Sequence, residues 1–265
     1  MKKRTIIRFE ELSFTKIGEL DRNKSVIIIP VSPLEAHGPH LPIGTDMLIT
    51  EEICREMYRR IKRKRRSIIP VMYPFQAFGH CGANKDVMGS VSVDVKAFGK
   101  IMHDTLRSLA AQGFRYSTII TFHLDPFYIK AIHRSIGKME RVYGMKVAEP
   151  VSKFFYLNGG ISHAGKEETS IMLYLYPYLV DKIYKSLERV EIEFSILDFR
   201  KTLRELGAKD AYTGNPSEAS IEHGRKLFND LVNFCVESVF ELMEGKYRNF
   251  MPRPLRYLPL FLQRK

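Results

Sequence analysis

Residues 26–31, Val-Ile-Ile-Ile-Pro-Val, lead through three residues into the loop 35–46, Glu-Ala-His-Gly-Pro-His-Leu-Pro-Ile-Gly-Thr-Asp. An uninterrupted apolar run of this length is typical of a strand that is buried on both faces of a parallel sheet. The loop therefore places two carboxylates and two imidazoles at one end of a buried strand. Oxygen and nitrogen ligands in this mixture suit Zn²⁺, Mn²⁺ or Fe²⁺. The stretch predicts part of a metal site at the edge of a sheet.

The rest of the chain alternates strand-like and helix-like patterns. We predict further strands at 67–73, 116–122 and 146–151, and helices at 48–64, 95–112, 127–143, 167–175 and 220–243. Such alternation favours an α/β fold with a mostly parallel sheet and helices on both faces. We expect one domain over residues 1–247 and an extended C-terminal tail over 248–265, because prolines are frequent there. Ligands in such sheets bind beyond the carboxyl ends of the strands.

Composition places the chain among globular proteins. Hydrophobic residues make up 45% and charged residues 27% of the 265 positions. No apolar run approaches the roughly 20 residues that a membrane span needs, and we expect no secretory signal. The three cysteines are far apart and form neither a zinc-ribbon pattern nor a disulfide framework. We therefore expect a cytoplasmic protein.

The net charge of +12 comes largely from the block 59–66, Arg-Arg-Ile-Lys-Arg-Lys-Arg-Arg. Such a block could attract nucleic acid or an anionic substrate. The alternative is the solvated C-terminal end of a helix, where cations are favoured by the helix dipole. We favour the helix end, since no nucleic-acid-reading motif accompanies the charges.

Within the first loop, Glu35 and His37 are two residues apart, so in an extended segment their side chains point the same way. Asp46 is either a metal ligand or the N-cap of the following helix. His40 is expected to support the ligands through a hydrogen bond rather than bind metal.

Two later segments carry further candidates. His123 and Asp125 directly follow the strand predicted at 116–122, which makes His123 an expected ligand, whereas Asp125 could also start a helix. In residues 162–170, His163 is a candidate general acid or base. Glu167 and Glu168 could simply complement a helix N-terminus.

Three segments together resemble the creatininase (creatinine amidohydrolase) family. Residues 32–46 resemble its first signature, residues 163–170 its His-Ala-Gly-x-x-Glu-Thr-Ser signature, and residues 213–224 its Gly-Asp-Pro turn. They occur in the family's order, and the similarity runs from about residue 26 to 232, which is most of the chain.

The resemblance implies a three-layer α/β/α domain, a two-metal site, hydrolysis of a C–N amide bond and a homo-oligomer, commonly a hexamer. By the same resemblance, Asp46 bridges the two ions. The implied ligands are Glu35, His37, Asp46, His123 and Asp125. Glu168 is an alternative donor to the second ion, and it joins His163 as a catalytic candidate.

The loop 121–126 departs from the family pattern. It reads Thr-Phe-His-Leu-Asp-Pro, where many relatives have Asn-Gly-His-Gly-Gly-Asn. The chain also has no tryptophan, whereas tryptophans shape the creatinine pocket of creatininase. We therefore expect a substrate other than creatinine.

The sequence thus predicts a metal-dependent amidohydrolase that cleaves a cyclic amide or a formamide. The expected small-molecule substrate could be anionic, and the expected nucleophile is a hydroxide bridging two divalent ions, preferably Zn²⁺, with Mn²⁺ or Fe²⁺ as alternatives. A non-catalytic or single-metal family member with a binding or structural role is the first alternative. Nucleic-acid binding through residues 59–66 is the second.

Overall fold

The centre of the fold is a parallel sheet. The computed structural model describes residues 6–193, 198, 200–257 and 259. Within them the sheet has four strands, all parallel, in the order β2-β1-β3-β4. The strands are β1 Ser25–Pro30, β2 Ile69–Met72, β3 Tyr116–Ile120 and β4 Lys146–Ala148.

Helices cover both faces of the sheet. They are α1 Phe14–Gly18, α2 Thr45–Lys64, α3 Val95–Ala111, α4 Pro126–Tyr143, α5 Pro150–Leu157, α6 Lys166–Leu175, α7 Ile221–Met243 and α8 Arg253–Tyr257. One buried cluster joins the sheet to α2, α5, α6 and α7, and a second joins it to α3 and α4. The predicted three-layer α/β/α architecture is confirmed.

Strand β1 shows why its sequence is apolar throughout. Val26 and Ile28 lie in the cluster under α2 and α7, whereas Ile27 and Ile29 lie in the cluster under α3 and α4. Successive side chains of a strand point to opposite faces, so a strand covered on both faces needs apolar residues at every position.

The predicted strand 146–151 is wrong in its second half. Strand β4 ends at Ala148, and α5 begins at Pro150. Proline has the backbone geometry of a first helical position, and the Glu149 side chain caps the helix by accepting a hydrogen bond from the amide of Ser152. Because this short segment is largely apolar, its sequence pattern did not reveal the change from strand to helix.

The tail predicted to be extended, residues 248–265, contains a short helix, α8. Leu255 is buried in the cluster beneath α4, and Lys130 Nζ donates to the carbonyls of Leu255 and Arg256 at 2.8 Å each. The tail therefore packs against α4. Positions 258 and 260–265 lie outside the described residues.

The carboxyl ends of the central strands carry the candidate site. Strand β1 leads through the loop 31–44 into α2, and β3 leads through a short loop into α4. Both loops therefore meet at the same edge of the sheet. Among the described residues, no helix combines the length and the apolarity that a membrane crossing demands.

Candidate active site

Two imidazoles at this edge are each oriented by a backbone carbonyl. His37 Nδ1 lies 2.8 Å from the carbonyl oxygen of Glu35, and His123 Nε2 lies 2.9 Å from that of His80. A carbonyl oxygen can only accept, so these nitrogens carry the ring protons. The lone pairs of the neutral rings are then on His37 Nε2 and His123 Nδ1. This is the arrangement by which proteins fix the tautomer of a metal-binding histidine.

Asp46 lies between the two rings. Its Oδ1 is 3.2 Å from His37 Nε2, and its Oδ2 is 3.1 Å from His123 Nδ1. The residue stands in the first turn of α2 and is 2% exposed. Each oxygen of one buried carboxylate therefore faces a different imidazole, which is the geometry of a bridging ligand.

Two more carboxylates complete the cluster from either side. Glu35 Oε2 lies 2.9 Å from His123 Nδ1 without hydrogen-bond alignment, and Glu168 Oε2 lies 3.5 Å from His37 Nε2. The ligand atoms form two groups, each within 4.8 Å: Glu35, Asp46 and His123, and His37, Asp46 and Glu168. The donor set therefore fits two cations that share Asp46.

The pKa values reflect this concentration of buried charge. Burial opposes ionisation of Glu35, but the neighbouring His123, His163 and His37 together outweigh it and lower the pKa of Glu35 to about 2. The pKa of Asp46 is likewise held well below its usual range by His37 and His123, against burial. Burial disfavours the charged imidazole, yet Asp46 raises the pKa of His37 to about 10, and Glu35 raises that of His123. In the metal-free protein, protonated imidazoles therefore balance the carboxylates.

Glu168 differs from the other two carboxylates of the cluster because its pKa is raised. Burial, reinforced by the negative charge of Asp46, raises the pKa of Glu168 to about 8, although His37 opposes the change. Its Oε2 also accepts the backbone N–H of Ala164 at 2.7 Å. This contact fixes the carboxylate at the N-terminus of α6, where it faces the cluster.

His163 lies beside the cluster with a free ring nitrogen. Its Nε2 is 2.8 Å from the carbonyl oxygen of Ala36, and its ring centroid is 4.4 Å from that of His37. Among the described residues, Nδ1 of His163 has no hydrogen-bond partner. Burial lowers the pKa of His163, and in the tautomer whose Nε2 donates to Ala36 the neutral ring can take up a proton at Nδ1. The position suits a general acid or base, although Glu35, His37 and His163 also form a third ligand-like group.

The loop that carries His163 requires small residues. Ala164 has a φ of 50°, in the left-handed region. A Cβ on Gly165 would lie 2.8 Å from the carbonyl oxygen of Thr213. The His-Ala-Gly order therefore brings this loop close to the 213–214 turn. That contact explains why the two segments, distant in sequence, support one site.

His40 lies outside the ligand groups. Its Nε2 is 2.9 Å from Thr169 Oγ1, next to Glu168, and burial lowers the pKa of His40 to about 4. This contact holds the first turn of α6 against the loop that follows β1.

Asp125 occupies the wall of the pocket rather than the cluster. Its Oδ1 accepts the amides of Phe127 at 2.9 Å and Tyr128 at 3.1 Å, and so caps α4. Its Oδ2 is buried without a hydrogen-bond partner among the described residues. Asp125 belongs to neither of the groups that share Asp46.

A cavity of about 150 Å³ opens onto the cluster. Besides the cluster residues and His163, its lining is mostly apolar: Phe122, Leu124, Phe127, Ile161 and Leu203, with Ala83, Asp125 and Pro126. The described lining contains no lysine or arginine. It therefore suits a small substrate with an apolar part.

Two contributors to the site were not predicted from the sequence. Asn84 Nδ2 lies 3.0 Å from Glu35 Oε1 and 2.9 Å from His163 Nε2, and Leu203 covers the cavity with its amide bonded to the carbonyl of Ala83. Asn84 ends a single 3₁₀ turn and Leu203 lies in an irregular segment, so neither belongs to a periodic pattern. A buried asparagine after a Cys-Gly-Ala turn was a weak signal for Asn84, and no signal marked Leu203.

The basic block 59–66 is partly neutralised within the molecule. Arg60 reaches Glu56 at 2.9 Å, Asn229 at 2.6 Å and Asn233 at 2.8 Å. Lys64 pairs with Glu237 and Arg65 with Glu244, so three of these cations bind α7 or the residue after it. These contacts support the helix-end interpretation over nucleic-acid binding.

Comparison with known proteins finds similar sequences over much of this chain. The creatininase (creatinine amidohydrolase) family model matches residues 10–239. The mycofactocin precursor peptide peptidase of Mycobacterium tuberculosis is 25% identical over 240 residues, which are 88% of this chain and 92% of the relative. The creatinine amidohydrolase of Pseudomonas putida is 27% identical over 176 residues, 59% of this chain and 66% of the relative.

Solved creatininase structures have the same fold. The structure of creatininase Mn aligns with a TM-score of 0.68 at 22% identity, and a Zn–Zn type mutant creatininase with 0.69 at 22%; each alignment covers 89% of this chain and 98% of the other. The family match spans most of the chain and includes every segment that builds the metal-ligand cluster. The chain therefore belongs to the creatininase family and is a metal-dependent hydrolase of the creatininase-like amidohydrolase type.

Proposed function

We propose that this protein hydrolyses a C–N amide bond in a small, uncharged substrate with two divalent metal ions bound at the groups that share Asp46. The observation that carries the proposal is the position of Asp46, whose two oxygens face the two carbonyl-anchored imidazoles. When bound there, such ions supply a water of lowered pKa and polarise a carbonyl group.

Glu168 is proposed as the carboxylate that completes the group of His37. It is 4% exposed, its Oε2 is within reach of the ligand nitrogen, and the Ala164 amide holds it in place. Asp125, the position that the resemblance assigns to this role, uses one oxygen to cap α4. Zn²⁺ and Mn²⁺ are the proposed metals, since creatininase structures of both types share this fold. Fe²⁺ also suits the donors.

His163 is proposed to move the proton. His163 Nε2 faces the Ala36 carbonyl, which can only accept, and the Asn84 amide nitrogen, which can only donate. In the tautomer that donates to Ala36, Nδ1 is the nitrogen that can accept a proton and then release it to the leaving nitrogen. A pKa below the usual range keeps this nitrogen unprotonated at neutral pH. The tilted contact with the His37 ring fixes the orientation of the imidazole.

The volume and lining of the cavity limit the size and charge of the substrate. Its volume of about 150 Å³ is smaller than the roughly 300 Å³ at which drug-sized ligand pockets begin. Apart from the metal-ligand cluster itself, the described lining has no lysine or arginine that could pair with an anionic group. We therefore propose an uncharged cyclic amide or formamide in place of the anionic substrate considered from net charge. The volume also disfavours an extended peptide, although one relative is named a peptidase.

We further propose a cytoplasmic homo-oligomer, with a hexamer as the expected form from the family resemblance. The three cysteines, Cys54, Cys81 and Cys235, are all free and buried, which suits a reducing compartment. Light scattering after size-exclusion chromatography measures the oligomeric state directly.

Metal analysis and turnover test the proposal together. Protein purified without chelator is expected to hold about two equivalents of divalent metal, and to hydrolyse at least one member of a panel of lactams, cyclic imides and formamides. Chelation should abolish turnover, and added Zn²⁺ or Mn²⁺ should restore it. Full metal content in an Asp46→Ala, His123→Ala double variant contradicts the site. One ion or none, with no turnover on the panel, favours a non-catalytic or single-metal family member.

A further inference from the structure

Four buried hydroxyl groups form a connected hydrogen-bond network between the elements that carry the metal ligands. They belong to Ser32, Thr50, Thr121 and Tyr128, and each of these residues is fully buried. Ser32 Oγ lies 3.1 Å from Thr50 Oγ1 and 3.3 Å from Thr121 Oγ1. Thr121 Oγ1 lies 3.1 Å from the hydroxyl oxygen of Tyr128, which donates to the carbonyl of Val31 at 3.1 Å. This hydroxyl network links α2 and α4 to the segments that follow β1 and β3.

The partners of the hydroxyl network determine the direction in which each group donates. A hydroxyl has one proton, and the Val31 carbonyl can only accept, so the Tyr128 proton goes to Val31. The Tyr128 oxygen then accepts from Thr121, which leaves the Thr121 oxygen to accept from Ser32. Ser32 in turn accepts from Thr50. Each of the four buried hydroxyl groups therefore donates its proton to a definite partner, as buried polar groups normally do.

The hydroxyl network is attached to the two segments that carry Asp46 and His123. Thr50 lies on α2, four residues and about one helical turn after Asp46. Its oxygen accepts the backbone N–H of Phe122 at 2.9 Å, and His123 is the next residue. Thr121 Oγ1 accepts the backbone N–H of His123 at 3.3 Å. The hydroxyl network therefore fixes the backbone at His123 relative to the helix that carries Asp46.

The ligands of the second group are held by other contacts. His37 is oriented by the carbonyl of Glu35, and Glu168 is fixed by the amide of Ala164. Neither contact involves the hydroxyl network. The Tyr128 ring, by contrast, packs edge-to-face on the His123 ring with centroids 4.9 Å apart. Disruption of the hydroxyl network should therefore act on the ligand group that contains His123.

We propose that the hydroxyl network positions His123 against Asp46 and thereby sets how tightly the ligand group of Glu35 binds its divalent ion. The ligand group of Glu168 does not depend on the hydroxyl network. The inference rests on the proposed function, since it assumes an ion at each of the two groups that share Asp46. Thr50 is the central positioning residue, because its oxygen meets the amide of the residue before His123.

The test uses Thr50→Val in the full chain, with Zn²⁺ alone as the probe. Valine has nearly the shape of threonine but no hydroxyl, so the variant loses the hydrogen bond to the Phe122 amide. Thr118→Val is the matched control, because Thr118 is equally buried and its hydroxyl has no hydrogen-bond partner among the described residues. Thr50→Ser restores the hydroxyl. Competition with a chromophoric chelator measures the number of Zn²⁺ ions bound and their affinities.

Two backgrounds separate the ligand groups. Glu168→Gln leaves the group of Glu35 and His123 intact, and Glu35→Gln leaves the group of His37 and Glu168 intact. In the Glu168→Gln background, Thr50→Val is expected to weaken Zn²⁺ binding by about 10- to 100-fold, the usual effect of losing a contact that orients a metal ligand. In the Glu35→Gln background the affinity should be unchanged. Thr50→Ser should restore the lost affinity.

The inference is overturned by equal weakening in both backgrounds, by no weakening in either, or by the same loss in Thr118→Val. Each of these results leaves the proposed function standing. Tyr128→Phe is the second variant, which covers a failure of Thr50→Val to fold, and it keeps the ring that contacts His123. It should weaken the same ligand group by about 2- to 10-fold, and an unchanged affinity there also overturns the inference. A wild type that binds fewer than two equivalents of Zn²⁺ contradicts the proposed function and the inference with it.

Discussion

Replacing Asp46 by asparagine tests the centre of the site with almost no change in shape. The side chain is 2% exposed and contacts both His37 and His123, so the variant keeps one oxygen and loses the other together with the negative charge. Each ligand group loses its shared carboxylate. We therefore expect the variant to lose most of its bound metal rather than one ion of two.

The substitution should change the stability of both the metal-bound and the metal-free protein. Metal at 100 times its dissociation constant stabilises a native protein by about 2.7 kcal/mol per site, so two sites give about 5.4 kcal/mol. For a chain of this size that raises the melting temperature by roughly 10–20 °C. In the metal-free protein, removing one partner of a buried ion pair costs about 3–5 kcal/mol. The substitution should therefore lower stability with and without metal.

Thermal unfolding with chelator and with added Zn²⁺, together with elemental analysis, separates the two effects. Wild type should show the metal-dependent rise, and Asp46→Asn should show almost none. Asp94→Asn makes the same chemical change at the cap of α3, outside the ligand groups, and should keep the full rise. An Asp46→Asn protein that retains two equivalents and the full rise would refute the bridging role.

Four further outcomes follow from other contacts. Metal loading at pH 7 should release about one proton from each of the three proposed ligands whose pKa values lie above neutral, namely His37 at about 10, Glu168 at about 8 and His123. Because the binding form is deprotonated, affinity near neutral pH should rise by about tenfold per unit at the His123 site and more steeply at the site that His37 and Glu168 share; a pH-independent affinity contradicts this assignment. His163→Asn should lower kcat by about 10²–10⁴ with unchanged metal content, and loss of metal in this variant would instead make the residue a ligand. Arg60→Ala should lower the free energy of unfolding by about 1–3 kcal/mol in denaturant titrations, since Arg60 is itself buried and bonds Asn229 and Asn233 of α7; no loss would return the basic block to a surface role. Gly224→Ala should destabilise by about 3 kcal/mol or more despite the better helix propensity of alanine, because the new Cβ would lie 1.9 Å from a backbone oxygen of α6; a stable variant would contradict the close packing of α6 on α7.

The sequence predicts the sheet well because a strand buried on both faces requires an uninterrupted apolar run, which is easily recognised. Residues 26–31 are apolar throughout, and four helices that pack on the sheet, α2, α3, α4 and α7, show an apolar stripe that ends near glycine or a charged run. The segment 146–151 fails for the same reason. A short buried strand and the first turn of a buried helix are both apolar. Over six residues, periodicity cannot distinguish one from the other. Pro150 was the remaining signal, since it suits the first position of a helix.

The candidate site is predictable only where its residues lie in dense motifs. Glu35, His37 and Asp46 share one loop, so spacing alone brings them together. Asn84 and Leu203 enter from irregular segments, and their position depends on tertiary contacts. The choice between Asp125 as cap and as ligand was open for a different reason. A carboxylate has two oxygens, and the sequence does not say which partner each one meets.

The loop 35–46 and the basic block 59–66 look unrelated in the sequence, yet they lie at the two ends of helix α2. Asp46 lies in the first turn of α2, and Arg60 lies 14 residues later, about 21 Å along the helix axis. An acid at the start and bases at the end both interact favourably with the helix dipole. The contacts of Arg60 with Asn229 and Asn233 fasten α2 to α7, and α7 in turn packs on α6, which carries Glu168. The positive charge that suggested a nucleic-acid partner therefore has a structural use. It fixes the helix that carries the proposed bridging carboxylate relative to the helix that carries its proposed partner ligand.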